Sequence, residues 1–185
     1  MKKLTFRNRD RQFYQVLNAR VKAYFKETGR SPHANAQMVV KTVFFLGSLF
    51  GLYGALVWGQ LPWYVNGVLS VALGLVLAGI GFNVMHDAAH GSYSRYPWLN
   101  NLLAFSLDLI GGSVALWKTK HNVVHHTYTN IPGMDGDGEQ EAVIRLTPEQ
   151  PHWPIHRYQH VYATFLYGLL SLTWVFFSDY EKLVK

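Results

Sequence analysis

One block of the chain is incompatible with an ordinary water-soluble core, because residues 42 to 86 contain no Asp, Glu, Lys or Arg. A helix needs about 20 predominantly apolar residues to cross the hydrocarbon core of a bilayer. The block is long enough for two such helices, and Pro62 in WGQLPWY interrupts the helical pattern near its middle. The sequence therefore predicts a membrane hairpin with spans over residues 39–58 and 64–85.

Glycines recur along this hairpin and have two explanations. Small residues let membrane helices approach closely, but glycine is also common in such helices without a packing role. The sequence leaves both explanations open for the following residues: Gly47, Gly51, Gly54, Gly67 and Gly74.

Two further apolar segments follow the hairpin. Residues 99–117 resemble a third crossing, but Asp108 and the pair Gly111-Gly112 interrupt them, so we expect an interfacial or re-entrant helix. Residues 161–178 are apolar and predict a last span. The expected fold class is all-α, an integral membrane helical bundle, with residues 38–185 forming the membrane domain.

The region preceding the hairpin, residues 1–37, is strongly basic. Nine of the 17 basic residues lie there, which by the positive-inside rule places the N-terminus in the cytoplasm. Residues 10–27 also carry an apolar stripe at helical spacing, which favours an amphipathic helix on anionic membrane lipid over a nucleic-acid-binding arm. Because the hairpin returns to its starting side, the histidine motifs that follow it are also expected at the cytoplasmic face.

Histidines are concentrated in two motifs, HDAAH at residues 86–90 and HNVVHH at residues 121–126. The four-residue spacings in HDAAH and in HNVVH put each pair on one helix face, whereas His126 would lie about 100° further round an α-helix. The chain contains no cysteine, so a metal site must use nitrogen and oxygen ligands. Imidazoles suit iron, copper or zinc, and the spacing does not choose among them. A zinc protease is excluded, because Asp87 and Asn122 stand where its general-base Glu is required.

At these motifs the chain resembles the membrane fatty acid desaturases, with HDAAHGSYS similar to their first histidine box and WKTKHNVVHHTYTNIPGMDGD similar to their second. It is most similar to the bacterial acyl-lipid or acyl-CoA desaturases related to the front-end desaturases. The resemblance implies a di-iron centre that activates dioxygen and inserts a double bond into an acyl chain. The residues it carries over as iron ligands are His86, His90, His121, His125 and His126.

The resemblance also implies partners and a location. The substrate would be an acyl lipid or acyl-CoA, and the enzyme would lie in the bacterial cytoplasmic membrane. Electrons would come from a separate ferredoxin, flavodoxin-like protein or b-type cytochrome with its reductase. The same chemistry leaves a hydroxylase or ketolase as an alternative, and a non-catalytic membrane remnant that binds zinc is another.

Other polar residues have competing interpretations. Asp87 and Asn122 either orient ligating imidazoles or are solvated at the surface. In HRYQH, His156 and His160 are again four apart, but we favour loop or interfacial histidines over a substitute metal box. The turn from Asp135 to Glu141 is acidic and is expected to be solvated.

The family has a third histidine box, usually of the Gln-x-x-His-His type, which this sequence does not contain. We therefore expect the chain to be the N-terminal portion of a desaturase that lacks about three iron ligands.

Overall fold

The computed structural model describes residues 11–131, 133–135, 143–178 and 180. Over these residues the regular structure is entirely helical, which confirms the predicted all-α class. The α-helices are α1 (Arg11–Thr28), α2 (Ala36–Trp58), α3 (Trp63–Ile80), α4 (His86–Ala89), α5 (Pro97–Ala104), α6 (Ser106–Leu109), α7 (Val114–Trp117), α8 (His126–Tyr128) and α9 (Gln159–Thr173). The chain also forms π-helical segments at Gly81–Met85, Lys118–His125 and Trp174–Ser178, and a 3₁₀ helix at Pro154–Tyr158.

Two helices are long and apolar enough to cross a membrane. They are α2 and the continuous helix Trp63–Ala89, which joins α3, the first π-helical segment and α4. Asn35 caps α2, since its side chain accepts a hydrogen bond from the Met38 amide at 3.0 Å. Few residues of the two helices are buried inside the protein, as expected for a lipid-facing surface.

The segment predicted as an interfacial or re-entrant helix, residues 99–117, is broken near the expected glycine pair. Pro97–Leu109 and Val114–Tyr128 meet at an angle of 112°, which fits a broken span or a re-entrant loop. The bend lies at Gly111, whose φ of +97° is accessible to glycine and strained for other residues. The predicted last span, residues 161–178, coincides with α9 and the third π-helical segment. It is not among the described helices that are long and apolar enough to cross a membrane, and it stays a prediction.

The close contact between α2 and α3 lies at a glycine that the sequence reasoning did not select. A β-carbon at Gly79 would overlap the ring of Phe45, so only glycine fits there without a shift. By contrast, Gly47, Gly51, Gly67 and Gly74 have open space where a β-carbon would be. The packing explanation is therefore wrong for these four glycines.

The core lies where the end of the second spanning helix meets α5 and α6. Ile80 and Val84 are fully buried, and a second apolar cluster extends through the residues that flank HDAAH. The Tyr93 hydroxyl pairs with Oγ1 of Thr42 at 2.7 Å in a buried position, which ties the loop after HDAAH to α2. HDAAH therefore lies beside the apolar core of the described chain.

Helix α1 carries its apolar stripe on an open surface. Phe13 is 71% exposed, and Val16, Leu17 and Val21 are exposed as well. Residues 1–10, which belong to the predicted amphipathic region, lie outside the described residues.

Candidate metal centre

HDAAH forms the last turn of the second spanning helix, and a glycine C-cap ends the helix there. Gly91 has a φ of +72°, the Gly91 amide donates to the Ala88 carbonyl at 2.9 Å, and the Ser92 amide donates to the Asp87 carbonyl at 3.0 Å. This is the glycine-terminated C-cap described for many helices. It fixes His86 and His90 on the final turn, where their ring centroids are 4.5 Å apart.

HNVVHH adopts a less common geometry, because residues Lys118–His125 are π-helical. In this geometry residues five apart are bonded, so His126 comes next to His121 with ring centroids 4.9 Å apart. His126 also lies 5.0 Å from the ring of His90. The expected α-helical geometry of this segment is therefore wrong, and the π-helical turn brings His126 to the same side as His121.

The two motifs converge. The ring of His121 lies 5.3 Å from that of His86 and 5.2 Å from that of His90. One ring nitrogen from each of these three histidines can be chosen so that all lie within 4.8 Å of one another. This all-nitrogen donor set fits a first-row transition metal such as iron, copper or zinc.

A tryptophan flanks this cluster. Trp117 stacks on His121 with centroids 4.4 Å apart and planes 21° apart, and His121 stacks in turn on His125 at 5.1 Å and 17°. The Trp117 ring also meets those of His86 and His90 edge-on at 5.6 and 5.7 Å. Trp117 therefore restricts the ring orientations, although the sequence indicated it only as part of a matching run.

Asp135 was expected in a solvated turn, and this is wrong. It is 2% exposed, and its two carboxylate oxygens lie 3.0 and 3.1 Å from Nδ1 of His125. Positive φ values at Asn130 and Gly133 turn the chain back on itself, and the Asn130 amide donates to Asp135 at 2.9 Å. The turn residues in TNIPGMD were the only signal in the sequence, and they do not reveal the contact. The other acidic residues of this turn, Asp137, Glu139 and Glu141, lie outside the described residues.

The two polar residues that the sequence selected have different contacts. Oδ1 of Asp87 lies 3.5 Å from Nδ1 of His86, and both side chains are about 40% exposed. The Asn122 amide group donates to the Ala89 carbonyl at 3.0 Å, while its buried carbonyl oxygen has no hydrogen-bond partner among the described residues. Asn122 thus links the π-helical segment to the end of HDAAH.

The HRYQH histidines lie outside the group of three. His156 is buried, and its Nδ1 accepts a hydrogen bond from the Trp153 amide at 3.0 Å. His160 is exposed on α9. His33, for which the sequence gave no role, pairs through Nδ1 with the Ser92 carbonyl at 3.1 Å and so contacts the loop after HDAAH.

Burial lowers the pKa of His90 below its ordinary value. The neighbouring His86 and His126 lower this pKa further, whereas Asp87 acts in the opposite direction. A neutral imidazole has a free lone pair, which is the form that binds a metal. The surroundings of His90 therefore favour ligation at neutral pH.

Comparisons with known proteins agree with these motifs. The family model described as fatty acid desaturase matches residues 61–183. The chain is 37% identical to the sn-1 linoleoyl-lipid 6-desaturase of Synechocystis sp. over 95% of its own length and 49% of that protein. It is 37% identical to the sn-1 linoleoyl-lipid 6-desaturase of Arthrospira platensis over 88% of the chain and 44% of that protein.

A moss protein is similar too. The acyl-lipid (8-3)-desaturase of Physcomitrium patens is 34% identical over 91% of the chain and 35% of that protein. The chain thus spans about half or less of the length of these curated relatives, and no solved structure matches it. The match to the family model covers well over half of the chain and includes both histidine motifs, so the chain belongs to the fatty acid desaturase family, as its motifs predicted.

Proposed function

We propose that these residues belong to an oxygen-dependent desaturase that inserts a double bond into the acyl chain of a lipid or of acyl-CoA. The observation that carries the proposal is the convergence of His86, His90 and His121, from two separate helical segments, in a chain of the desaturase family. The relatives are named for acyl-lipid substrates, which favours an acyl lipid over acyl-CoA.

The imidazoles of both motifs would supply five of the ligands of two iron ions. The proposed ligands are His86, His90, His121, His125 and His126. Bound iron supplies the oxidising chemistry by which dioxygen removes two hydrogens from unactivated acyl carbons, which acid-base groups alone cannot do. The chain's own contribution is to fix the imidazoles. Trp117 restricts their planes, and Asn122 holds the two motifs together.

The position of the cluster supports a lipid substrate. HDAAH ends a helix that is apolar enough to span a bilayer, so the histidines lie where a bilayer-embedded acyl chain can reach them. We propose that this end of the helix faces the cytoplasm of a bacterial cell, because the basic region precedes the first span. The exposed apolar stripe of α1 would then rest on the same membrane surface.

Electrons would arrive from a separate acidic donor, a ferredoxin, flavodoxin-like protein or b-type cytochrome. Arg95 and Lys118 line an open cleft of about 380 Å³, whose wall also includes Ala89 and Gly91 on either side of His90. No acidic side chain is among the described residues that line this cleft. Opposite charges accelerate and orient such an encounter.

The experiment that tests the function combines metal and product analysis. The chain is purified in detergent from iron-replete cells and its iron and zinc are measured by elemental analysis. Lipids from the expressing cells are analysed by gas chromatography with mass spectrometry. We expect iron in excess of zinc in the purified chain. We expect a new alkene, which cells with an empty vector lack, in cells that express the chain joined to a segment that supplies the expected third histidine box. A new alcohol would instead indicate a hydroxylase, and stoichiometric zinc without iron would contradict the proposal.

A further inference from the structure

We propose that Asp135 is a positioning residue for the metal centre, which acts by fixing the ring and the tautomer of His125. The inference rests on the proposed function, since it assigns a role to the carboxylate only if His125 binds a metal. It adds a residue that the histidine motifs do not contain and that the sequence indicated only as a solvated acid.

The hydrogen-bond geometry defines the tautomer. An imidazole has two nitrogens, and in its neutral form one carries the proton while the other keeps the lone pair. A carboxylate accepts only, so a contact of 3.0 Å between Asp135 and Nδ1 of His125 requires the proton on Nδ1. Nε2 is then the nitrogen that binds a metal, and the carboxylate makes it a stronger donor.

The burial of Asp135 indicates that this contact is specific. A carboxylate removed from water is costly unless hydrogen bonds and opposite charge compensate for it. The Asn130 amide contributes one hydrogen bond, and both oxygens are within reach of the His125 ring. A turn that served only as a connection would not need to bring an acid into a position that is 2% exposed.

Asp87 provides a matched control within the same site. It has the same charge and lies next to another proposed ligand, but only one of its oxygens approaches His86, at 3.5 Å, and its side chain is 41% exposed. A contact of this length and exposure orients a ring weakly. Asp87→Asn should therefore remove one negative charge, as Asp135→Asn does, without disturbing the orientation of a ligand ring.

The test is a cobalt titration of the detergent-purified chain, because bound Co²⁺ has a visible spectrum that reports affinity and coordination without activity. We expect Asp135→Asn to weaken the affected cobalt site about 10- to 100-fold, and Asp87→Asn to weaken binding less than threefold. In a His125→Ala background, Asp135→Asn should have no further effect on affinity. A purely structural role would give the same loss in both backgrounds, and this would overturn the inference.

A second measurement needs no metal and no substitution at position 135. In the ¹⁵N-histidine-labelled chain, with the His125 signals assigned from their absence in His125→Ala, we expect the Nδ1-protonated tautomer. The Nε2-protonated tautomer would overturn the inference even if the titration could not be done on a poorly folded variant. A wild-type chain that binds no cobalt would overturn the proposed metal centre and the inference with it. Normal wild-type binding with an unaffected Asp135→Asn variant would overturn the inference alone.

Discussion

HDAAH and HRYQH both place two histidines four residues apart, yet the structure treats them differently. His86 and His90 lie on one helical turn with rings 4.5 Å apart, and a second segment brings His121 against them. His156 lies in a 3₁₀ helix and is bonded to the backbone of Trp153, whereas His160 is exposed on α9. The spacing predicts a shared face only where one regular helix includes both residues and another segment packs against that face.

The difference has a local cause. HDAAH continues a long helix that is apolar enough to span a bilayer. Ile80 and Val84, which precede HDAAH on this helix, are buried and hold it against its neighbours. HRYQH instead begins two residues after Pro154, which starts a short 3₁₀ helix in which residues three apart are aligned. That geometry brings Nδ1 of His156 to the amide of Trp153, three residues earlier, and so uses the nitrogen locally.

The largest expected effect tests the second segment that packs against the first pair, because His121 converges with His86 and His90. His121→Ala should lower the affinity for Co²⁺ by at least about tenfold, because it removes one of three converging nitrogen donors. His160→Ala should leave the affinity unchanged, because His160 is an exposed residue outside that group. Cobalt titration of both purified variants provides the measurement. Equal losses in the two variants would show that the pairs do not differ as the structure indicates.

The second prediction concerns the loop that follows HDAAH. Asn100 is buried; its side chain donates to the Gly91 and Ser94 carbonyls and accepts from the Ser94 amide. Asn100→Ala should therefore destabilise the protein by about 2–4 kcal/mol, because buried backbone groups lose their partners.

Asn101 is the matched control for this variant. Its side chain is exposed and accepts a hydrogen bond from Lys118, so Asn101→Ala should change stability by less than about 0.5 kcal/mol. Unfolding by sodium dodecyl sulfate in mixed micelles, followed by tryptophan fluorescence, compares the two variants. A similar unfolding midpoint for both would mean that the loop does not depend on Asn100.

The same contrast shows which features of the fold and of the candidate site can be predicted from the sequence. Composition and helix length predict the hairpin, because lipid contact constrains every residue of a span. The histidine spacing and the resemblance predict which residues form the candidate site. The position of His126 could not be predicted, because it depends on the π-helical segment that contains His121 and His125. Asp135 was missed because its contact with His125 is made by a turn, and turn residues do not indicate which side chain they bury.

The smallest expected effect tests whether His156 serves only as the hydrogen-bond acceptor of the Trp153 amide. His156→Ala removes the acceptor of the Trp153 amide and the stacking of the two rings, whose planes are 15° apart. The free energy of unfolding should fall by about 1 kcal/mol, the usual value for one such hydrogen bond, and cobalt affinity should not change.

His152 is the control, an exposed neighbour whose ring lies 5.9 Å from that of His156. His152→Ala should have almost no effect on either quantity. If His156→Ala instead weakened cobalt binding as His121→Ala is expected to do, HRYQH would supply a ligand and the two pairs would be parts of one site.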